Sequence, residues 1–216
     1  MHVELVDLFR CLTPHRDSWL VAAANETIDR VIVNGVLGCP VCGAEYPIVD
    51  GVVQFALAPD VQDRVDDPGS NAAPDETEVF RLAAQLDLSA PGKTIALVGY
   101  GASIVRALLA LVPTRVVLVD APHESLTAES EPIARITCGR ALPIASASLH
   151  GIALRTSELP TNTVDILRPG GRIVAQAHLE IPSGTSEIAR DHREWVVARD
   201  AVASPPVRLS RRHVSE

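Results

Sequence analysis

The stretch from Thr94 to Asp120, TIALVGYGASIVRALLALVPTRVVLVD, limits the chain to a narrow set of folds. TIALV is five apolar or small residues with no polar alternation, as in a strand buried on both faces. Two glycines, Gly99 and Gly101, follow at once. ASIVRALLALV then places its apolar residues at helical spacing, and RVVLVD reads as a second buried strand. Strand, glycine turn, helix, strand is the unit of a parallel sheet covered on both faces. The same grammar continues on either side. EVFRLAAQLDL is helical. RITC, HGIALRT and GRIVAQAHL read as a third, fourth and fifth strand, and REWVVARDAV and PVRLSRR as two last ones. Gly184 to Ser186, GTS, reads as a loop and a helix start.

Residues before this region are built differently. WLVAAA and RVIVNGVLGC read as hairpin strands around a polar NETID turn. APDVQDRVDDPGSNAAPDETE is rich in Asp, Pro, Gly and Asn, has little to bury, and reads as a linker. The expected organisation is a small β domain over residues 1–58, a flexible acidic linker over 59–78, and an α/β domain over 79–216. At 216 residues with 47% hydrophobic and 3% aromatic content, the core is mostly Ala, Val, Leu and Ile. The formal net charge of -8 argues against a large nucleic-acid footprint. No apolar run is long enough to span a membrane. The N-terminus has no basic region followed by an apolar one, so no secretory signal is expected and the cytoplasm is the expected location.

The short N-terminal segment carries Cys11 and His15 in RCLTPHRD, and Cys39 and Cys42 in GCPVCG. Two such knuckles across a hairpin form a Cys3His donor set, suited to one tetrahedral zinc ion. A segment under about 60 residues has too small a core to be stable unaided, so a metal staple makes physical sense. The plainer reading is buried cysteines and a surface histidine. Asp17 or a water are the alternatives to His15 as fourth ligand.

LVDLFRC followed by GCPVCGAEYPIVDGVVQF resembles the small zinc-ribbon family that activates methyltransferases for tRNA and translation release factors. The match covers residues 4–57, and YPIVDG is its most specific part. It departs at the first knuckle, where His15 stands one position late in place of a second cysteine. In that family the ribbon is not catalytic and packs on a methyltransferase, which implies a protein partner or a homo-oligomer here.

Gly99 and Gly101 let a backbone approach a ligand and let the helix N-terminus face it. Asp120, at the end of the next strand, is placed to accept hydrogen bonds from ribose hydroxyls. The plainer reading is a tight turn with Asp120 capping the next element. IALVGYGAS, VVLVDAP, CGRALPIASASLHGIAL and DILRPGGRIVAQ together resemble the class I S-adenosylmethionine-dependent methyltransferases. The resemblance covers roughly residues 79–216 and implies an α/β, Rossmann-like, mostly parallel sheet with an antiparallel strand near its C-terminal edge. It implies S-adenosylmethionine as cofactor, held by Gly99, Gly101 and Asp120. Leu97, Cys138 and His150 stand where relatives carry carboxylates, and Ser103 replaces a third glycine. Each lost charge-assisted bond costs about 1.5–3 kcal/mol, so cofactor binding is expected to be weak or absent.

Two functional classes compete. One is a degenerate methyltransferase-like accessory subunit that acts by protein–protein binding. The other is an active S-adenosylmethionine-dependent methyltransferase with its activating ribbon fused in cis. A third, a zinc-ribbon nucleic-acid adaptor, is disfavoured by the acidic balance. As a nucleophile Cys138 lacks a visible His and Asn pairing, and His150 reads more simply as a satisfied or exposed histidine than as a general base. RRH near the C-terminus reads as a solvated tail. No catalytic carboxylate pair, Walker loop or nucleophile elbow is present.

Overall fold

A computed structural model of the chain describes residues 1–16, 18–56, 75–121 and 132–201. A 3-10 turn, Val3–Leu8, precedes β1 (Val21–Ile28), β2 (Val31–Gly38), β3 (Glu45–Val49) and β4 (Val52–Gln54). Then come α1 (Glu76–Gln85), β5 (Thr94–Val98), α2 (Ala102–Leu111), β6 (Arg115–Val119), β7 (Ile133–Thr137), β8 (Leu149–Leu154), β9 (Leu167–Gln176), β10 (Thr185–Arg190) and β11 (Glu194–Arg199). Residues 57–74, which include most of the linker expected over 59–78, lie outside the described residues, as do Asp17, the PVRLSRR strand candidate and the RRH tail.

Among the described residues eleven strands form one sheet, in the order β1-β2-β3-β4-β7-β6-β5-β8-β9-β11-β10. β7, β6, β5, β8 and β9 are mutually parallel. Counted from β5 their order is 3-2-1-4-5, that of a doubly wound sheet. β11 lies antiparallel to β9, and β10 closes that edge. The antiparallel strand expected near the C-terminal edge is therefore present.

Alternation in the strands divides the core. Ile95, Leu97, Val116, Leu118, Ala153 and Val174 face α1 and α2. Val79, Leu82, Ala83 and Leu86 make the apolar stripe of α1 at i, i+3, i+4, i+7. Asp75 caps that helix by accepting from the Thr77 N–H. The opposite face of the sheet carries Ala96, Val98, Val117, Val119, Ile152 and Ile173. They share a cluster with Leu5, Phe9, Leu37, Ile48 and Val53 of the N-terminal segment, and with Leu142, Ile144 and Trp195.

The N-terminal hairpins thus pack into the main core, and they also extend the main sheet. Val52, Val53 and Gln54 of β4 pair in parallel with Arg135, Ile136 and Thr137 of β7. The segment before β1 is tied down as well: the Arg10 N–H donates to Pro143 O at 2.9 Å and the Ala145 N–H to Leu8 O at 2.8 Å.

Three local expectations are corrected. The NETID segment is not the hairpin turn: Asn25 to Ile28 belong to β1, and the turn is Asp29 and Arg30, with Asp29 at φ 53. β1 is an exposed edge strand with a bulge after Ala24, so its polar residues stay hydrated while the strand continues. Thr185 and Ser186 begin β10 and not a helix, because antiparallel pairing with β11 satisfies their backbone. β9 starts at Leu167, so the LRPGG turn lies inside the strand, with Gly170 at φ 76.

Candidate functional site

Cys11, His15, Cys39 and Cys42 come together, each offering one donor atom within 4.8 Å of the others. Cys11 Sγ is 3.6 Å from Cys42 Sγ, and Cys39 Sγ is 3.3 Å from His15 Nε2. A tetrahedral site with metal–sulfur bonds of about 2.3 Å has sulfur–sulfur edges of about 3.8 Å. The cluster therefore already has the dimensions of such a site.

The surrounding residues explain the shape. Cys39 and Cys42 sit on a tight knuckle in which the Gly43 N–H donates to Cys39 O at 2.9 Å and the Cys39 N–H to Ala44 O at 2.8 Å. Gly43, at φ 71, supplies the left-handed residue this turn needs. Asp50 and Gly51, both at positive φ, turn β3 into β4. Tyr46 of the YPIVDG stretch packs on Phe55 at 4.6 Å between ring centroids, and Phe55 packs on Phe9 at 5.7 Å. This places the Tyr46 hydroxyl 3.3 Å from Cys11 Sγ.

His15 Nδ1 lies 2.5 Å from Arg16 O. That carbonyl holds a proton on Nδ1, so Nε2, which faces Cys39, is the nitrogen a metal would take by displacing a proton. The Arg16 carbonyl and then Cys11 raise the imidazole pKa to about 9. Cys11 is brought down to about 6: burial opposes this, but hydrogen bonds from Tyr46 and Thr13 outweigh it. Thiolate and imidazole nitrogen are the donors zinc takes.

The second set, Gly99, Gly101 and Asp120, sits at the carboxyl ends of β5 and β6. The Gly99 N–H donates to Val119 O at 3.0 Å. Gly99 ends β5 at its boundary with β8, where the strand order reverses and such folds hold ligands, and Asp120 ends the neighbouring strand on the other side. Gly101 is the N-cap of α2 and brings no side-chain cap. Gly99 has φ 74, and a Cβ there would lie 2.5 Å from the carbonyl oxygen of Arg155. The glycine is thus demanded by the approach of the chain after β8. Gly99→Ala is expected to cost about 2–3 kcal/mol from left-handed strain and the clash. Urea unfolding would measure it, and a loss under about 0.5 kcal/mol would mean the turn relaxes freely.

Asp120 is 6% exposed. Its Oδ1 accepts from the Cys138 N–H at 2.9 Å, and the Cys138 thiol lies 3.8 Å from Oδ2. The carboxylate therefore links the ends of β6 and β7. The cavity it lines, with Cys138, Leu142 and Thr156, holds about 80 Å³.

The positions where carboxylates were missed do not behave alike. Leu97 is fully buried between the sheet and the helices. Cys138 does line the Asp120 cavity. His150 does not belong to the site. It begins β8 at the other end of the sheet, where Nδ1 accepts from the Thr94 N–H at 3.0 Å. Burial and then the adjacent Arg168 guanidinium lower its pKa.

Sequence reasoning passed over Tyr100 and Arg155. Tyr100 is buried between the two glycines, and burial raises its phenol to about 12 against the pull of Arg155. The Arg155 guanidinium lies 4.4 Å over the Tyr100 ring and pairs with Glu78 of α1. An arginine directly after the buried strand LHGIAL was the available signal, since a charge there must find a partner.

No protein-family model matches the chain, and no curated protein matches it. Among solved structures it is similar to geranyl diphosphate C-methyltransferase from Streptomyces coelicolor A3(2), at 16% identity over 46% of this chain and 42% of that one, with a TM-score of 0.37. It is similar to TrmN from Thermus thermophilus at 14% identity, over 76% of this chain and 56% of that one, with a TM-score of 0.43. A third similar structure is a complex between the Haloferax volcanii Trm112 methyltransferase activator and a chain described as a methyltransferase. There the identity is 16%, over 46% of this chain and 55% of that one, with a TM-score of 0.33. Each match spans less than two thirds of the other protein's length. The strand order makes this chain an α/β protein with a mixed sheet around a Rossmann-like parallel centre, β7-β6-β5-β8-β9, and a Cys/His cluster lies in the small β unit ahead of it. Among the described residues no helix is long and apolar enough to cross a membrane.

Proposed function

We propose that this chain is a degenerate methyltransferase-like accessory subunit that carries its own zinc ribbon and acts by binding another protein or a further copy of itself. The observation that carries this reading is the state of Asp120. The one ribose acceptor left in the crevice is tied to Cys138, beside a cavity of about 80 Å³. Small-molecule sites are usually about 300–1,000 Å³. Leu97 and Cys138, in place of carboxylates, add to the case.

Cys11, His15, Cys39 and Cys42 hold one zinc ion in this reading, which fastens the segment before β1 to the β2–β3 knuckle. The ion's part is structural, since four protein donors close a tetrahedral site and leave no position for a substrate. Reduced thiols of this kind suit the cytoplasm.

An active methyltransferase with its ribbon in cis is the second reading. Gly99 at the β5–β8 switch point and Asp120 at the end of the neighbouring β6 favour it. Calorimetric titration with S-adenosylmethionine and S-adenosylhomocysteine separates the two. The accessory reading expects no binding tighter than about 100 µM. A low-micromolar dissociation constant that Asp120→Ala weakens, together with methyl transfer to any acceptor, would replace it by the enzyme reading.

A further inference from the structure

The amino ends of the parallel strands carry a separate group of side chains. Strand register brings them together. Thr94, the first residue of β5, pairs with Arg115, the first of β6. Ile95 pairs with Gly151, which sets His150 of β8 beside Thr94. Leu149 pairs with Leu167 and Gly151 with Arg172, so the residues from Arg168 to Gly171 bulge out opposite His150. A Cβ on Gly170 would meet nothing within 4 Å, so the space beside this bulge is open. Along β5 the group lies about 20 Å from Gly99, at the opposite end of the sheet from the crevice.

The contacts of His150 set two donors against each other. Its Nδ1 accepts from the Thr94 N–H at 3.0 Å, so the ring proton is on Nε2. Arg168 Nη1 stands 2.8 Å from that Nε2, and a guanidinium has no acceptor. Moving the proton within the ring does not remove the conflict, because Nδ1–H would then face the Thr94 N–H. An anionic oxygen that reaches both nitrogens turns the contact into two charge-assisted hydrogen bonds.

The charges nearby say which anion fits. Burial and then the charges of Arg168, Lys93 and Arg115 lower the His150 pKa, so all three cations stand close to the ring. The Lys93 ammonium is balanced by Asp87, 2.8 Å away. Among the described residues no carboxylate pairs with Arg115 or Arg168. Both guanidinium charges are left over, in a chain whose net charge is -8. General attraction of anions is therefore not expected, and an anion held here is held locally. A dianion balances both charges, whereas a monocarboxylate balances one.

We infer that the amino ends of β6, β8 and β9 bind a phosphate dianion, held by the Nε2–H of His150 and the guanidiniums of Arg168 and Arg115. Tetrahedral oxygens suit donors that arrive from three strands, and guanidinium is a good match for phosphate. Free phosphate and the phosphate of a monoester share this chemistry.

Calorimetric titration of the full chain with inorganic phosphate and with glycerol phosphate, at low ionic strength and with acetate as control, tests this. At least one of the two phosphates is expected to bind with a dissociation constant below about 1 mM, and acetate is not expected to bind. Arg168→Gln, at an exposed position, and Arg115→Gln are each expected to weaken binding about tenfold, as loss of a charge-assisted bond does. Arg30→Gln in the distant β1–β2 turn should leave it unchanged. Nuclear magnetic resonance of the imidazoles is expected to show the His150 signals moving on phosphate addition, while those of His178 and His192, near the other end of the sheet, stay in place. No heat from either phosphate at about 10 mM, equal binding of acetate, full affinity in Arg168→Gln, or unmoved His150 signals overturns the inference. Tighter binding of glycerol phosphate assigns the site to a phosphate monoester, and tighter binding of inorganic phosphate assigns it to the free ion; both keep the inference.

Discussion

Stripping the metal with a chelator, or changing Cys39 to serine, is expected to lower the melting temperature by about 10 °C or more. The expectation rests on the proposed zinc ion at Cys11, His15, Cys39 and Cys42. Three features make the effect large. The ion joins segments that are distant in sequence, Cys11 and His15 before β1 and the knuckle after β2. Phe9 is adjacent to this cluster and fully buried in the core that also holds Val117 and Ile136. Without the ion, only contacts between the donors themselves hold the two segments together at this point. A loss of about 3–5 kcal/mol, as when a structural staple is removed, translates into a shift of that size in a chain of 216 residues. Elemental analysis should give about one zinc per chain in the native protein and none in Cys39→Ser. Purified protein without metal that melts at the same temperature would remove zinc from the account. Retention of zinc in His15→Ala with an unchanged melting temperature would remove only the fourth ligand.

The second large effect concerns Leu97. By resemblance, an acidic residue at this position belongs to a working cofactor loop, so Leu97→Asp looks like a repair. It is expected to destabilise the protein by about 4 kcal/mol or more and to restore no S-adenosylmethionine binding. Leu97 is fully buried and shares one apolar cluster with Val79, Leu82, Val105 and Leu108. A carboxylate there has no described basic partner in that cluster, and even its protonated form leaves a cavity and an unpaired polar group. Thermal melting and calorimetry on the variant check this. An unchanged melting temperature with tighter binding would mean that position 97 faces the ligand, and it would revive the enzyme reading.

The sheet was legible where burial writes itself into composition. IALV, RVVLV and RIVA are buried on both faces and read as strands without help from context. The glycines and Asp120 were legible because a strand-to-helix turn constrains backbone geometry locally. β10 was not legible: TSEIAR is almost wholly exposed, and only its ladder with β11, set by residues 194–199, makes it a strand. The extent of β1 was lost for a related reason, since an edge strand with a bulge tolerates Asn25 and Glu26 in its middle. His150 was misplaced because a motif gives order along the chain, whereas the site depends on which end of β8 a residue occupies. A pocket of about 440 Å³ escaped altogether, being assembled from α1, the glycine loop, and the ends of β8, β9 and β11. No local pattern carries such a juxtaposition. That Cys11, His15, Cys39 and Cys42 come together was legible because ligand chemistry admits few residue types, and their spacing needs only a hairpin.

The pairing of β4 with β7 changes how this protein answers to concentration. A strand edge is a docking template, and two separate chains that meet there are held according to how much of each is present. Here both strands belong to one chain, so the N-terminal hairpins meet the β7 edge intramolecularly, and the pairing does not depend on how much protein is present. Dilution does not release it. A strand added in trans competes with a partner that is always present. The β7 edge is in effect a closed address, because covalent connectivity keeps its partner strand beside it at any dilution.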